Sequence, residues 1–186
     1  MARVTGPRRH VLLLRGVNVG GHKKVPMARL RAMLEGMGHA NVRTLLNSGN
    51  AVFDVARATP AATLATRIEA AIEDTFGFGA RSFVLTAADI DAVVAENTLA
   101  SVCDHPSRLM VSYFASADDR DKVASLARQS WGTEAFAAGS KAAYVWCPAG
   151  ILESALFETV TRALGTAVTT RNWATTLKLQ GLCREG

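Results

Sequence analysis

One order of hydrophobic patterns occurs twice along this chain, and that repeat constrains the fold more than any other feature. The first copy opens with the apolar run His10–Leu14. A helix follows, with Met27, Leu30, Leu34 and Met37 at helical spacing, Pro26 at its start and Gly38 at its end. Residues 41–46 and 50–55 read as two strands joined at Asn47-Ser48-Gly49, a hairpin signal. Thr59-Pro60 then starts a second helix, on which Leu64, Ile68, Ile72 and Phe76 share a face and which Gly77 stops. Residues 80–85 close the unit as a strand.

The second copy runs from residue 108 to residue 170. Residues 108–115 form a strand, and Val123, Leu126 and Ala127 lie on a helix opened by acidic residues. Two strands flank Gly139-Ser140. A helix then carries Leu152, Leu156, Val160 and Leu164, and residues 166–170 are the last strand. Both copies read βαββαβ, the order of a ferredoxin-like unit, in which an antiparallel sheet carries two helices on one face. The expected fold is α+β: two ferredoxin-like units packed together, plus a C-terminal helix whose Trp173, Leu177 and Gln180 face one way. The expected division is 1–86 for the first unit, 87–107 for a helix and linker, and 108–186 for the second unit with its helix. The first nine residues read as a loose tail.

Composition narrows the function classes. The 186 residues are 49% apolar and 20% charged, ordinary for a chain with a real core. No apolar run approaches the ~20 residues of a membrane span, and His10–Leu14 is too short for a signal-peptide core. The expectation is a soluble cytoplasmic protein. Cys103, Cys147 and Cys183 are far apart and never paired as CxxC, and the four His show no ligand spacing. Neither a disulfide framework, nor a metal site, nor a cofactor is expected. The net charge of +5 is uneven: residues 1–86 hold 12 Lys/Arg against 5 Asp/Glu, and residues 87–186 hold 9 against 11. A basic first half suits a phosphate, carboxylate or nucleic-acid partner, and it is equally the composition of a solvated surface.

The connection Arg15 to Pro26, RGVNVGGHKKVP, is the most loaded stretch. Such connections usually take about 2–6 residues; this one runs from Gly16 to Val25. Gly16, Gly20 and Gly21 permit positive φ and let backbone N–H groups converge on an anion. Lys23 and Lys24 add charge just before a helix N-terminus, itself an anion site. Arg15 offers a bidentate fork and Asn18 a donor. It is neither a Walker loop nor a GxGxxG loop. Its alternative reading is a long turn whose glycines solve geometry. Asn47 to Asn50 at the hairpin tip and Arg171-Asn172-Trp173 before the last helix are further polar clusters, each also explained by hairpin chemistry or helix capping.

The stretches LLRGVNVGGHKKVPM, NSGNAVF and TRNWATTLKL resemble a bacterial family known as domain of unknown function 1697, over essentially the whole chain. The resemblance implies two ferredoxin-like parts and brings no activity with it. Carried over residue by residue, it marks Arg15, Gly16, Asn18, Gly20, Gly21 and Lys24, then Ser48, Gly49 and Asn50. Near the C-terminus it marks Thr170, Arg171, Asn172, Trp173, Thr176 and Lys178. The chain departs from the family pattern at Leu46-Asn47, where an aromatic and a Gln are usual, at Thr98-Leu99, and at Ala155, where a Lys is usual.

The favoured expectation is a small anionic, phosphate- or carboxylate-bearing ligand. It would be held between the units by Arg15, Asn18, Gly20, Gly21, Lys24, Ser48, Asn50, Arg171, Asn172, Trp173 and Lys178. A second expectation is RNA or single-stranded nucleic acid stacked on sheet aromatics such as Phe53, Tyr113, Tyr144 and Trp146. A third is a hydrolase or transferase, for which Ser48 is the marked nucleophile candidate and no base is evident. Catalytic residues, oligomeric state and the orientation of the units stay open.

Overall fold

The computed structural model describes residues 8–185. The first half runs β1 (Arg8–Leu14), α1 (Met27–Gly36), β2 (Ala40–Leu45), β3 (Asn50–Val55), α2 (Ala61–Phe76), β4 (Ser82–Thr86) and α3 (Ala87–Ala95). The second half runs β5 (Leu109–Phe114), α4 (Ala117–Val123), β6 (Ala135–Ala138), β7 (Ala142–Trp146), α5 (Ala155–Leu164), β8 (Val168–Asn172) and α6 (Trp173–Arg184). There are two four-stranded antiparallel sheets, ordered β2-β3-β1-β4 and β6-β7-β5-β8. Each therefore has the ferredoxin-like order, with the first strand of its unit at the centre beside the third. Of the described residues, those up to Ala88 together with those from Leu182 on form one compact unit; the other is Asp89–Gly181.

In the first unit, alternation along the strands sorts the side chains. Leu12, Leu14, Ala51, Phe53 and Val55 point to one face and meet Leu30 and Leu34 of α1 and Leu64, Ile68 and Ile72 of α2. Val11, Leu13, Val52, Phe83 and Leu85 point to the other face, and they too are buried. A strand apolar on both faces reads as a continuous run, as His10–Leu14 does. Arg8 and Arg9 were expected in the loose tail but belong to β1. Arg9 holds its place because its guanidinium forks onto Asp54, at 2.8 and 3.1 Å. It also donates to the carbonyl oxygens of Leu182, Cys183 and Glu185. Asn41 sits at a bulge of β2 with φ 50 and donates to Asp54 at 2.8 Å. Those bonds, Arg9 foremost, hold the Asp54 carboxyl below the usual carboxylate range.

In the second unit, Met110, Val145, Cys147 and Val168 face Val123, Leu126, Leu156, Val160 and Leu164. On the opposite face the Tyr113 hydroxyl is 2.8 Å from that of Thr176 in α6, and Tyr144 donates to the Val93 carbonyl of α3 at 2.6 Å. The periodicity misjudged three places here. α4 stops at Val123, and Leu126 lies in a following 3₁₀ turn. α5 starts only at Ala155, because the Ser154 hydroxyl accepts the Phe157 N–H as an N-cap, and Leu152 is left 94% exposed. The inner face of α6 is Trp173, Thr176 and Leu179, whereas Leu177 is exposed. Thr176 goes inside because the Tyr113 hydroxyl satisfies its own, a partnership no helical periodicity reveals.

The rings of His10 and His39 both lie near the Phe53 ring, with centroids at 6.0 and 4.7 Å. Nε2 of His39 is buried without a hydrogen-bond partner among the described residues. Burial, and then the nearby His10, lower the His39 pKa. The folded state thus resists protonation that the unfolded chain accepts near pH ~6.5. Stability is complete above that pH and declines as pH falls through it toward the lowered value. Urea melts at pH 7.5 and pH 5 will show a smaller drop for His39→Leu than for the parent chain. Asp54 and Asp119, both held below the usual range, stay ionised over that interval.

Candidate functional site

The connection after β1 is a built structure rather than a slack loop. Leu14 donates its N–H to the Gly49 carbonyl at 2.8 Å, and Arg15 donates to the Arg81 carbonyl at 2.9 Å. Gly16 turns the chain with φ 68, and Val17 drops back into the core. Val19 and His22 then form an antiparallel bridge around Gly20 and Gly21, whose φ values are 62 and 78. Two left-handed residues between bridged partners are the mark of a type I′ hairpin turn, which explains the glycine pair. The Asn18 N–H, donated to the Lys23 carbonyl at 3.1 Å, closes the miniature hairpin.

Asn18 is the staple of this assembly. Its Oδ1 accepts the Val25 N–H at 2.8 Å; its Nδ2 donates to the Val25 carbonyl at 3.0 Å and to the Asn47 carbonyl at 2.6 Å. One side chain thus joins both ends of the loop to the β2–β3 turn. Its own φ of 57 is a conformation asparagine tolerates. In the β2–β3 turn, Asn50 is fully buried, and its Nδ2 donates to the Leu45 carbonyl and the Ser48 hydroxyl, at 2.8 and 2.9 Å. Gly49 has φ 77, and a Cβ there would lie 2.7 Å from Cβ of Leu14 and 2.8 Å from Cγ2 of Val17. Loop and turn are therefore packed against each other through a glycine.

The basic side chains are arranged around this frame. From Arg15 to Leu34 there are five Lys/Arg and no Asp/Glu. Lys23, at φ 48, donates its ammonium to the Gly79 carbonyl at 2.8 Å. Arg29 donates to the Thr75 carbonyl and lies over Phe76, and Arg81 lies over Phe83. Arg15 is half-buried at the strand end, and Lys24 is exposed two residues before the cap of α1. That cap is Pro26, which supplies no side-chain hydrogen bond, and the first turn holds no acid. The first amides of α1 are thus left to solvent or to an anion.

The remaining candidates lie in the second unit. Arg171, half-buried on β8, donates to the Thr169 hydroxyl at 3.1 Å and the Thr170 carbonyl at 2.8 Å. Burial pushes its pKa down to about 10. Asn172 caps α6, its Oδ1 accepting the Thr175 N–H at 2.9 Å. Trp173 is buried and Lys178 exposed. The structure thus brings together Arg15, Asn18, Gly20, Gly21, Lys24, Ser48 and Asn50 in one unit, and Arg171, Asn172, Trp173 and Lys178 in the other. Phe53, Tyr113, Tyr144 and Trp146 are all buried and turn no ring face to solvent. Among the described residues no group of three or more His, Cys, Asp or Glu is placed to hold a metal ion, and no helix is long and apolar enough to cross a membrane. Val17 belongs to the same loop assembly but was not singled out in the sequence, where its only signal is an apolar residue inside a polar loop. Lys23 and Leu46 belong to it too, the first read in the sequence only as added charge and the second only as a departure from the family pattern.

A model of the family described as protein of unknown function DUF1697 matches residues 8–144. The chain belongs to this family. No curated protein matches it. Among solved structures, this DUF1697 chain is similar to a conserved bacterial protein, SP0830, from Streptococcus pneumoniae. The two share 24% identity and superpose with a TM-score of 0.78, over 96% of this chain and all of the other. That likeness covers the fold, doubled βαββαβ order included.

Two substitutions test the staple. Gly49→Ala forces a Cβ into Leu14 and Val17 at a left-handed backbone, and will lower stability by about 2–4 kcal/mol in chemical denaturation. Asn18→Asp keeps the acceptor for the Val25 N–H but sets a carboxylate against two carbonyl oxygens. It will cost about 1–3 kcal/mol at neutral pH, and part of that loss will be regained on acidification toward the carboxyl's own pKa.

Proposed function

We propose that the first unit binds a small anionic ligand, bearing a phosphate or carboxylate, at the Arg15–Lys24 loop. The observation that carries this reading is the Asn18 staple. It fixes the loop so that Lys24 stands exposed just before α1, whose first turn has neither a capping side chain nor an acid. An exposed ammonium on a fixed loop, beside helix amides that no side chain caps and in a run with no acid, favours an anion by charge and by hydrogen bonding. In this reading Asn18, Gly20, Gly21, Ser48 and Asn50 shape the site, and Arg15 and Lys24 supply charge. Arg171, Asn172, Trp173 and Lys178 serve the second unit, where Asn172 and Trp173 start α6.

The test is a thermal-shift screen of the parent chain and Lys24→Ala against inorganic phosphate, sulfate, carboxylates and phosphorylated metabolites. A ligand at ~100 times its Kd adds about 2.7 kcal/mol, which raises Tm by roughly 5–10 °C in a chain of this size. A rise in the parent that is lost in Lys24→Ala is the expected result. A panel that leaves the parent's Tm unchanged overturns the reading.

A further inference from the structure

The junction made by Asn18 holds Val25 and Asn47 within hydrogen-bond reach of one side chain, at 2.6 to 3.0 Å. The residues next to these three in sequence are Val19, Lys24 and Leu46, and all three are exposed. Val19 is 69% exposed and Leu46 52% exposed, so two aliphatic side chains stand in water at the tips of two loops that one amide joins. A single exposed aliphatic residue is ordinary. Leu46 is less ordinary, because its φ of 57 is one that favours glycine or asparagine. The turn keeps a leucine where the backbone prefers otherwise and where the residue is half exposed.

Both apolar tips sit within one chain step of the groups that place Lys24. We propose that the ligand of the Arg15–Lys24 loop is an amphiphilic anion: a phosphate or carboxylate held at Lys24, attached to an aliphatic chain that lies over Val19 and Leu46. This inference rests on the anion reading above and adds the class of molecule. The apolar side chains exposed at the two tips are both aliphatic, which favours an alkyl or acyl group over a nucleobase, whose recognition uses stacking. The charge complement is the acid-free run from Arg15 to Leu34. Burial of the alkyl group against Val19 and Leu46 supplies affinity that inorganic phosphate lacks.

Calorimetric titration of the full chain with inorganic phosphate and with hexyl phosphate tests this. Hexyl phosphate will bind the parent at least about ten-fold more tightly, the gain from burying roughly two methylene groups. Leu46→Asn removes the aliphatic side chain while relaxing the left-handed backbone, so it will melt at or above the parent's Tm. In it the affinity ratio will fall toward one. Val19→Ser will lower the ratio as well. Equal affinities for the two ligands in the parent overturn the aliphatic inference and leave the anion site standing. Binding of neither overturns the anion reading and this inference with it. A preference for hexyl phosphate that survives both substitutions places the chain elsewhere and overturns the assignment to Val19 and Leu46.

Discussion

The antiparallel pairing of β1 with β3 is the constraint on which the first unit depends. Leu13 lies opposite Asn50, so the end of the first strand and the start of the third are at one end of the sheet. Once that register holds, the Arg15–Pro26 loop and the Leu46–Gly49 turn are forced into company, and their chemistry is that of neighbours. The Leu14 N–H to Gly49 carbonyl bond extends the ladder into the turn. The second unit obeys the same rule, with Tyr113 opposite Ala142 where β5 ends and β7 begins.

Within that frame the conspicuous residues divide by task. Asn18, Asn50, Gly20, Gly21 and Gly49 set backbone shape, since their hydrogen bonds or φ values are committed inside the loop and the turn. Lys23 anchors to the α2–β4 connection through the Gly79 carbonyl. A motif rich in glycine, asparagine and lysine thus resembles a phosphate loop in composition while most of its members build the hairpin. The charge that faces solvent is a smaller set, centred on Lys24. Such a division is common where a rigid scaffold presents a few chemical groups from a loop.

Much of the fold was legible because alternation and helical spacing report burial directly. The apolar run at Val11–Leu14 marks a strand covered on both faces, and Leu64, Ile68 and Ile72 mark the inner face of α2. Spacing failed where a single side-chain hydrogen bond outweighed it. Ser154 capped α5 and expelled Leu152, and the Tyr113 hydroxyl drew Thr176 inside in place of Leu177. The candidate loop was legible as a location, because its length, glycines and lysines all stand in the sequence. Its internal wiring was not, because the partners of Asn18 lie across the Val25 and Asn47 backbone and depend on how two separate segments meet.

By itself the sequence determined the doubled βαββαβ order, the core faces of α1, α2 and α5, and the place where positive charge gathers. These are consequences of local periodicity and composition, which need no knowledge of distant neighbours. Only the tertiary structure decided that Gly20-Gly21 is a hairpin turn, that Gly49 is required by the close approach of Leu14 and Val17, and that Leu46 stands exposed in a left-handed conformation. Those outcomes follow from long-range contacts, where one amide or one missing Cβ determines whether two loops can share the same end of a sheet.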